Sequence, residues 1–73
     1  MIDAATMLPY LRMGLGRIRV KDGKPEFLAS AGPLCQSDHP IDPAIVAGML
    51  RDRTIVRSCS HRPYRNIRFY TTP

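Results

Sequence analysis

The chain has 73 residues, and a domain of this length has a small core without room for a deep pocket and its supporting shell, which argues against an enzyme. Its composition, with 44% hydrophobic and 23% charged residues, is that of a folded domain and excludes a disordered tail. Eleven Lys and Arg against six Asp and Glu give a net charge of +5 and a pI near 9.9, values typical of nucleic-acid-binding domains.

A first helix is predicted to begin after Asp3, a residue type that caps helix N-termini. Leucines then recur at i, i+3 and i+7, which is the spacing of one helix face: Leu8, Leu11 and Leu15. Because Pro9 would remove a hydrogen bond from a helix interior, either the helix begins near Thr6 or it kinks at Pro9. Two glycines, Gly14 and Gly16, are expected to end the helix.

An Asp-Gly dipeptide at 22–23 predicts a β-hairpin over residues 17–29. The runs on either side have strand character, and both residues of such a two-residue turn need positive φ. Pro25 cannot donate to a strand ladder, so we expect it at a strand start or an edge. Residues 30–40 are rich in turn formers and are expected to form a loop.

The strongest helix signal covers residues 41–53. Asp42 can cap this helix, and Pro43 suits the first helical position because the N–H there makes no intrahelical bond. Four apolar residues form one stripe that must face a core: Ile45, Val46, Met49 and Leu50. Arg51 and Arg53 fall in the last turn, where positive charge suits the negative end of the helix dipole.

A second hairpin is predicted at the C-terminal end. Thr, Ile and Val favour a strand over residues 54–59, residues 60–65 read as a loop, and a second strand covers 66–71. Side chains along that last strand alternate between the two faces of the sheet. Ile67 and Phe69 are predicted to be buried, and Arg68 and Tyr70 are predicted to be exposed to solvent. The predicted fold class is a small single α+β domain with element order α-β-β-α-β-β, in which two helices pack on antiparallel hairpins.

Residues 51–72 concentrate six arginines, and only Asp52 opposes them. Guanidinium groups bind phosphate oxygens bidentately, and Tyr64 or Tyr70 would add stacking or phosphate hydrogen bonds. The predicted nucleic-acid-binding residues are Arg51, Arg53, Arg57, Arg62, Tyr64, Arg65 and Arg68. Two alternatives stay open, namely a solvated edge hairpin whose charges discourage aggregation and a hairpin that contacts an acidic protein surface.

The run MLRDRTIVRSCSHRPYRNIRFYTTP resembles the end of a winged-helix domain over about the last third of the chain. In that family a helix ends in Leu, a turn leads to an Ile/Val-Arg strand, a basic wing follows, and a closing strand ends near Thr. The corresponding segments here are Leu50, 55–57, 62–65 and 67–71. The resemblance implies a wing that contacts the DNA backbone or minor groove and a preceding helix that enters the major groove.

Chemistry other than binding has little support in the sequence. Every Cys and His of the chain could in principle form a zinc set: Cys35, His39, Cys59 and His61. A C-x2-C signature is absent, so two thiols and two loop histidines, or a Cys35–Cys59 disulfide, are the alternatives. Ser58, Ser60 and His61 lie close together, but no buried acid is evident to orient the histidine. We expect no cofactor and no enzyme activity.

The sequence predicts neither secretion nor membrane insertion. Asp3 lies where a signal peptide carries positive charge, and Pro9 interrupts the apolar N-terminal run. The longest apolar run, 44–50, is far shorter than the ~20 residues of a membrane span. We therefore expect a cytoplasmic protein with reduced cysteines.

Two classes of function follow as hypotheses. The first is a small nucleic-acid-binding protein, with DNA favoured over RNA, that regulates transcription. The second is a protein-interaction module, such as an inhibitor or accessory subunit encoded by a phage or mobile element, that binds an acidic protein surface. A homodimer whose hairpins pair at an edge is compatible with either, because a 73-residue core gains from oligomerisation.

Overall fold

A computed structural model describes residues 1–58 and 66–73 of the chain. The elements are α1 (Ala4–Arg12), β1 (Gly16–Lys21), β2 (Lys24–Ala29), a 3₁₀ turn (Pro33–Gln36), β3 (His39–Pro40), α2 (Pro43–Arg51), β4 (Val56–Arg57) and β5 (Ile67–Thr71). The strands form one antiparallel sheet in the order β3-β2-β1-β5-β4. The small α+β fold and the coarse order α-β-β-α-β-β are thereby confirmed. The predicted 30–40 loop additionally contains the 3₁₀ turn and β3.

Helix α1 begins at its predicted cap. The side chain of Asp3 accepts a hydrogen bond from the N–H of Thr6 at 2.9 Å. Hydrogen bonds from Thr6, first from its side chain and then from its backbone, hold the pKa of the Asp3 carboxyl below its ordinary value. The helix starts at Ala4 and continues beyond Pro9 as far as Arg12, so a start near Thr6 is wrong.

Both helices end in the same way. After α1, Gly14 adopts a φ of 71°, and the N–H of Leu15 donates to the carbonyl of Tyr10 at 2.9 Å. After α2, Arg53 adopts a φ of 58°, and the N–H of Thr54 donates to the carbonyl of Met49 at 2.9 Å. Each pattern is a Schellman motif, whose left-handed residue is usually glycine. In α2 that position holds an arginine.

Helix α2 begins at Pro43, the predicted first helical position, and ends at Arg51, two residues before the predicted end at Arg53. Asp42 caps it by accepting the N–H of Ala44 at 2.9 Å. Within the predicted apolar stripe, Val46 and Met49 are buried and Ile45 is half-buried, but Leu50 is 36% exposed.

The β1–β2 hairpin forms with the predicted turn. Lys21 pairs with Lys24 across it, and Asp22 and Gly23 have φ values of 53° and 78°. Positive φ at both central residues is the geometry that suits the right-handed twist of the flanking strands. Pro25 lies near the start of β2, as expected.

Strand β5 pairs with β1 as well as with β4, and this pairing decides which of its side chains are buried. Tyr70 lies opposite Ile18 and is 7% exposed, whereas Phe69 lies opposite Arg19 and is half-buried. Because cross-strand partners share a face of the sheet, Tyr70 joins the core. The alternation of side chains predicted a solvent-exposed Tyr70 that would stack on bases or contact phosphate, and this prediction is therefore wrong.

Both described helices lie on one face of the sheet. A single core joins buried residues of both helices to one side of β1, β2 and β5: Met7, Leu11, Ile18, Val20, Phe27, Val46, Met49 and Tyr70. We call this side the helix face and the opposite side the open face. On the open face of the described strands, no side chain is buried. Neither described helix is long and apolar enough to cross a membrane.

Candidate nucleic-acid interface

Two of the predicted binding residues lie at the C-terminal end of α2. Arg51 occupies its last turn, Arg53 occupies the left-handed position that follows the cap, and both side chains are exposed. Helix C-termini favour cations because the last carbonyl groups are unpaired and carry partial negative charge. The local structure therefore explains Arg51, whereas a left-handed backbone disfavours any side chain at position 53.

Two further predicted residues lie together at the edge of the sheet. Arg57 of β4 pairs with Tyr70, and Arg68 lies two residues before Tyr70 on β5, so both arginines are on the helix face. Both are exposed. They line one open cavity of about 480 Å³, and the other described residues that line it are Asp22, Gly23, Asn66 and Ile67.

A backbone hydrogen bond shapes that cavity. The N–H of Asp22 donates to the carbonyl of Asn66 at 2.9 Å, which holds the β1–β2 turn against the start of β5. Asn66 has a φ of 66°, a left-handed conformation that asparagine tolerates better than most residues. The cavity therefore has a defined rim, and the described residues that line it contribute two guanidinium groups and one carboxylate.

The ion pairs between described residues are on the other side of the sheet. Arg19 binds Glu26 at 3.2 Å and Asp38 at 3.1 Å. Arg51, Arg53 and Arg68 take part in neither pair. The positive charge near the end of α2 is therefore not neutralised by those carboxylates.

The structure thus brings Arg57 and Arg68 together and places Arg51 and Arg53 on the helix end that leads into β4. The remaining predicted residues, Arg62, Tyr64 and Arg65, lie outside the described residues. Their part in the interface, and the nucleic-acid role of the whole set, stay predictions.

A second group of cations was missed by sequence reasoning. Arg17 and Lys21 of β1 and Lys24 of β2 are exposed on the open face. The signal was available, because cations at every second position of a strand share one face of a sheet.

The zinc and disulfide hypotheses each depend on residues outside the described ranges, Cys59 and His61. Cys35 is exposed on the 3₁₀ turn, and Nε2 of His39 lies 2.9 Å from the carbonyl oxygen of Leu34. Among residues 1–58 and 66–73, no group of three His, Cys, Asp or Glu is placed to hold a metal ion.

Fold and site together define a class, which is a small basic α+β domain with both helices on one face of a five-stranded antiparallel sheet. Comparisons with protein-family models, with curated proteins and with solved structures found no match to this chain. The winged-helix resemblance therefore stays a hypothesis.

Proposed function

We propose that this protein binds nucleic acid, duplex DNA in preference to RNA, through the arginines at the end of α2 and on the β4–β5 edge. The observation that carries the proposal is that Arg57 and Arg68 line one open cavity beside the β1–β2 turn and the start of β5. Two guanidinium groups on adjacent strands suit phosphate oxygens, which they bind bidentately. The proposed role is regulation of transcription in the cytoplasm.

The conformation of Arg53 supports this proposal. A left-handed conformation costs a non-glycine residue about 1–2 kcal/mol, and glycine would avoid that cost. Strained residues cluster at functional sites, and the inference runs from the observed outlier to a function. With Arg51 on the preceding turn and Arg57 on the next strand, a phosphate contact is a role that would retain an arginine there.

The winged-helix resemblance implies that the segment 62–65 corresponds to the wing that contacts the DNA backbone. In this proposal the α2 end and the Arg57–Arg68 edge contact further backbone phosphates. Backbone contacts position a protein on DNA without reading the sequence, so we expect affinity to depend more on salt than on base sequence.

The test is fluorescence anisotropy with a short labelled duplex at about 50 and 200 mM salt. Arg68→Gln removes a charge from the proposed interface, and Arg12→Gln removes an exposed charge from the last turn of α1. We expect Arg68→Gln to weaken binding and to reduce the slope of log K against log salt by about 0.9, while Arg12→Gln leaves the slope unchanged.

Absence of binding at the lower salt concentration would overturn the proposal. So would equal behaviour of Arg68→Gln and Arg12→Gln, because net charge alone would then explain the binding. A double Arg62/Arg65→Ala variant tests the wing, and unchanged affinity would remove it from the interface.

The second candidate is an interaction module for an acidic protein. A groove of about 220 Å³ lies between α2 and the sheet, with Arg68 beside apolar side chains that include the 36% exposed Leu50. Such a groove suits an apolar side chain flanked by a carboxylate. Its test is a complex that survives nuclease treatment and is lost on Leu50→Glu.

A homodimer is a separate possibility, because the two-residue strand β4 lies at the edge of the sheet, where a second copy could pair with it. Light scattering tests this oligomeric state.

A further inference from the structure

The open face carries a line of cations along its central strand. Arg17, Arg19 and Lys21 alternate on β1 with the buried Ile18 and Val20, so all three project away from the helices. At ~3.3 Å per residue, the line from position 17 to position 21 is about 13 Å long. Lys24 pairs with Lys21 across the hairpin and extends the line onto β2.

Arg19, the middle cation of this line, forms ion pairs within the protein, and neither Arg17 nor Lys21 takes part in those pairs. Arg19 holds Glu26 and Asp38, which are the carboxylates of this face. Arg17 and Lys21 lie on either side of that ion-pair cluster, and both are exposed. The open face is therefore positive at both ends of β1.

Arg17 is also oriented by an aromatic ring. Its guanidinium carbon lies 4.7 Å from the ring centroid of Phe69, a cation–π contact across the β1–β5 pair. The contact restrains a long side chain that would otherwise lose rotamer freedom on binding. Because Arg17 remains exposed, the face of the guanidinium directed away from the ring is accessible.

We propose that the open face binds single-stranded nucleic acid, with Lys21 and Lys24 contacting backbone phosphates and Arg17 stacking on a nucleobase. This goes beyond the duplex contact proposed for the helix face and uses different residues. Unpaired bases stack on guanidinium planes, and two half-buried apolar residues lie beside Arg17 here: Leu28, opposite it on β2, and Phe69, beneath its guanidinium group. An acidic peptide would bind the N–H edge of the guanidinium group and leave its planar face unused, so the accessible planar face favours nucleic acid. A strand without base pairs is required, because bases in a duplex have no free stacking face.

The decisive variant is Arg17→Lys, which retains the charge and removes the planar group. With a labelled oligothymidylate, anisotropy should show binding that is about five- to ten-fold weaker for Arg17→Lys than for the unaltered chain. Lys21/Lys24→Gln should lower the salt slope on this probe by about 1.4, which is ~0.7 for each phosphate lost. Arg12→Gln is the matched control and should leave the salt slope unchanged.

Two results would overturn this inference. One is an Arg17→Lys variant that binds the single strand as tightly as the unaltered chain, since charge alone would then account for binding. The other is a labelled polyglutamate that binds as tightly and with the same sensitivity to Arg17→Lys, which would indicate a general polyanion surface. The duplex assay with Arg68→Gln reports on the helix face alone, so failure of either proposal is seen separately.

Discussion

The N–H of Thr54 donates to the carbonyl oxygen of Met49 at 2.9 Å, and this bond closes α2 around a left-handed Arg53. The equivalent bond in α1, from the N–H of Leu15 to the carbonyl of Tyr10, closes that helix around Gly14. Glycine has no side chain, so the left-handed conformation carries no steric penalty there. Two helices of one small domain thus end in one motif with different residues at its strained position. The fold alone would favour glycine at this position, so we attribute the arginine at position 53 to the proposed binding surface.

Replacing Arg53 by glycine should therefore stabilise the protein and weaken its binding to duplex DNA. We expect a gain of about 1 kcal/mol in the free energy of unfolding, measured by urea denaturation, because glycine adopts the left-handed conformation without strain. The salt slope on duplex DNA should fall by about 0.9 as one phosphate contact is lost.

Gly14→Ala is the matched control, because it places a side chain at the equivalent position of α1. It should lower the free energy of unfolding by about 1 kcal/mol. A less stable Arg53→Gly protein would show that contacts of the arginine outweigh the backbone strain, and unchanged DNA affinity would remove Arg53 from the interface.

The elements with local signals could be predicted from the sequence. Asp3 and Asp42 cap helices through their own side chains, and Asp22-Gly23 forms its turn, because each depends on neighbours within three residues. The pairing of β5 with β1 joins residues about fifty positions apart, and no local pattern encodes it. That pairing buries Tyr70.

The same distinction applies to the candidate site. Arginine density indicated the end of α2 and the β4–β5 edge, but it did not indicate which side of the sheet each residue faces. Arg57 and Arg68 share the helix face because both follow the register of Tyr70, and Arg17 faces away because Ile18 is buried. Two cationic surfaces become distinguishable only once strand register is known.

Gly16 is predicted to tolerate no side chain. A Cβ atom at this position would lie 2.5 Å from Cζ of Phe27, whose ring is fully buried and packs edge-on against Tyr10 at a centroid distance of 5.9 Å. Because the ring cannot shift without disturbing the core, Gly16→Ala should cost about 1–3 kcal/mol in thermal or urea unfolding.

Gly48→Ala provides the contrasting control. A Cβ atom there meets only a guanidinium nitrogen of Arg51, at 3.7 Å, and alanine is a better helix former than glycine. This variant should be more stable by about 0.5–1 kcal/mol. Equal stability of the two alanine variants would contradict the packing described around Gly16.

Asp3 should make stability depend on acidity. Its pKa is lowered in the folded chain from an ordinary value of 3.8 by hydrogen bonds from Thr6, so the folded state favours the ionised carboxyl. The contribution is fully present above pH 3.8 and is lost as the pH falls through the lowered pKa. Asp3→Asn retains a capping side chain that does not titrate.

The melting temperatures of the unaltered chain and of Asp3→Asn should therefore converge as the pH falls below 3.8. Asp3→Ala, which loses the cap, should melt lower than Asp3→Asn at every pH. A difference between the unaltered chain and Asp3→Asn that is constant with pH would show that the carboxyl charge does not contribute to the cap.

Asp38→Asn should increase binding to single strands at little cost in stability. The carboxylate is 52% exposed and holds Arg19 at 3.1 Å, so solvent screens the pair and its loss should cost less than about 1 kcal/mol. The substitution removes one negative charge from the open face, so its net charge rises by one, and Arg19 keeps its bond to Glu26. The salt slope on oligothymidylate should steepen by up to about 0.7.

Asp52→Asn is the matched control, because it adds the same charge at the exposed C-cap of α2 on the other side of the sheet. It should strengthen binding to duplex DNA and leave the affinity for oligothymidylate nearly unchanged. If the two variants affect both probes equally, the two surfaces do not act separately, and net charge alone controls binding. If Asp38→Asn instead weakens single-strand binding, the ion pair orients Arg19 for the ligand, and the open face depends on its carboxylates.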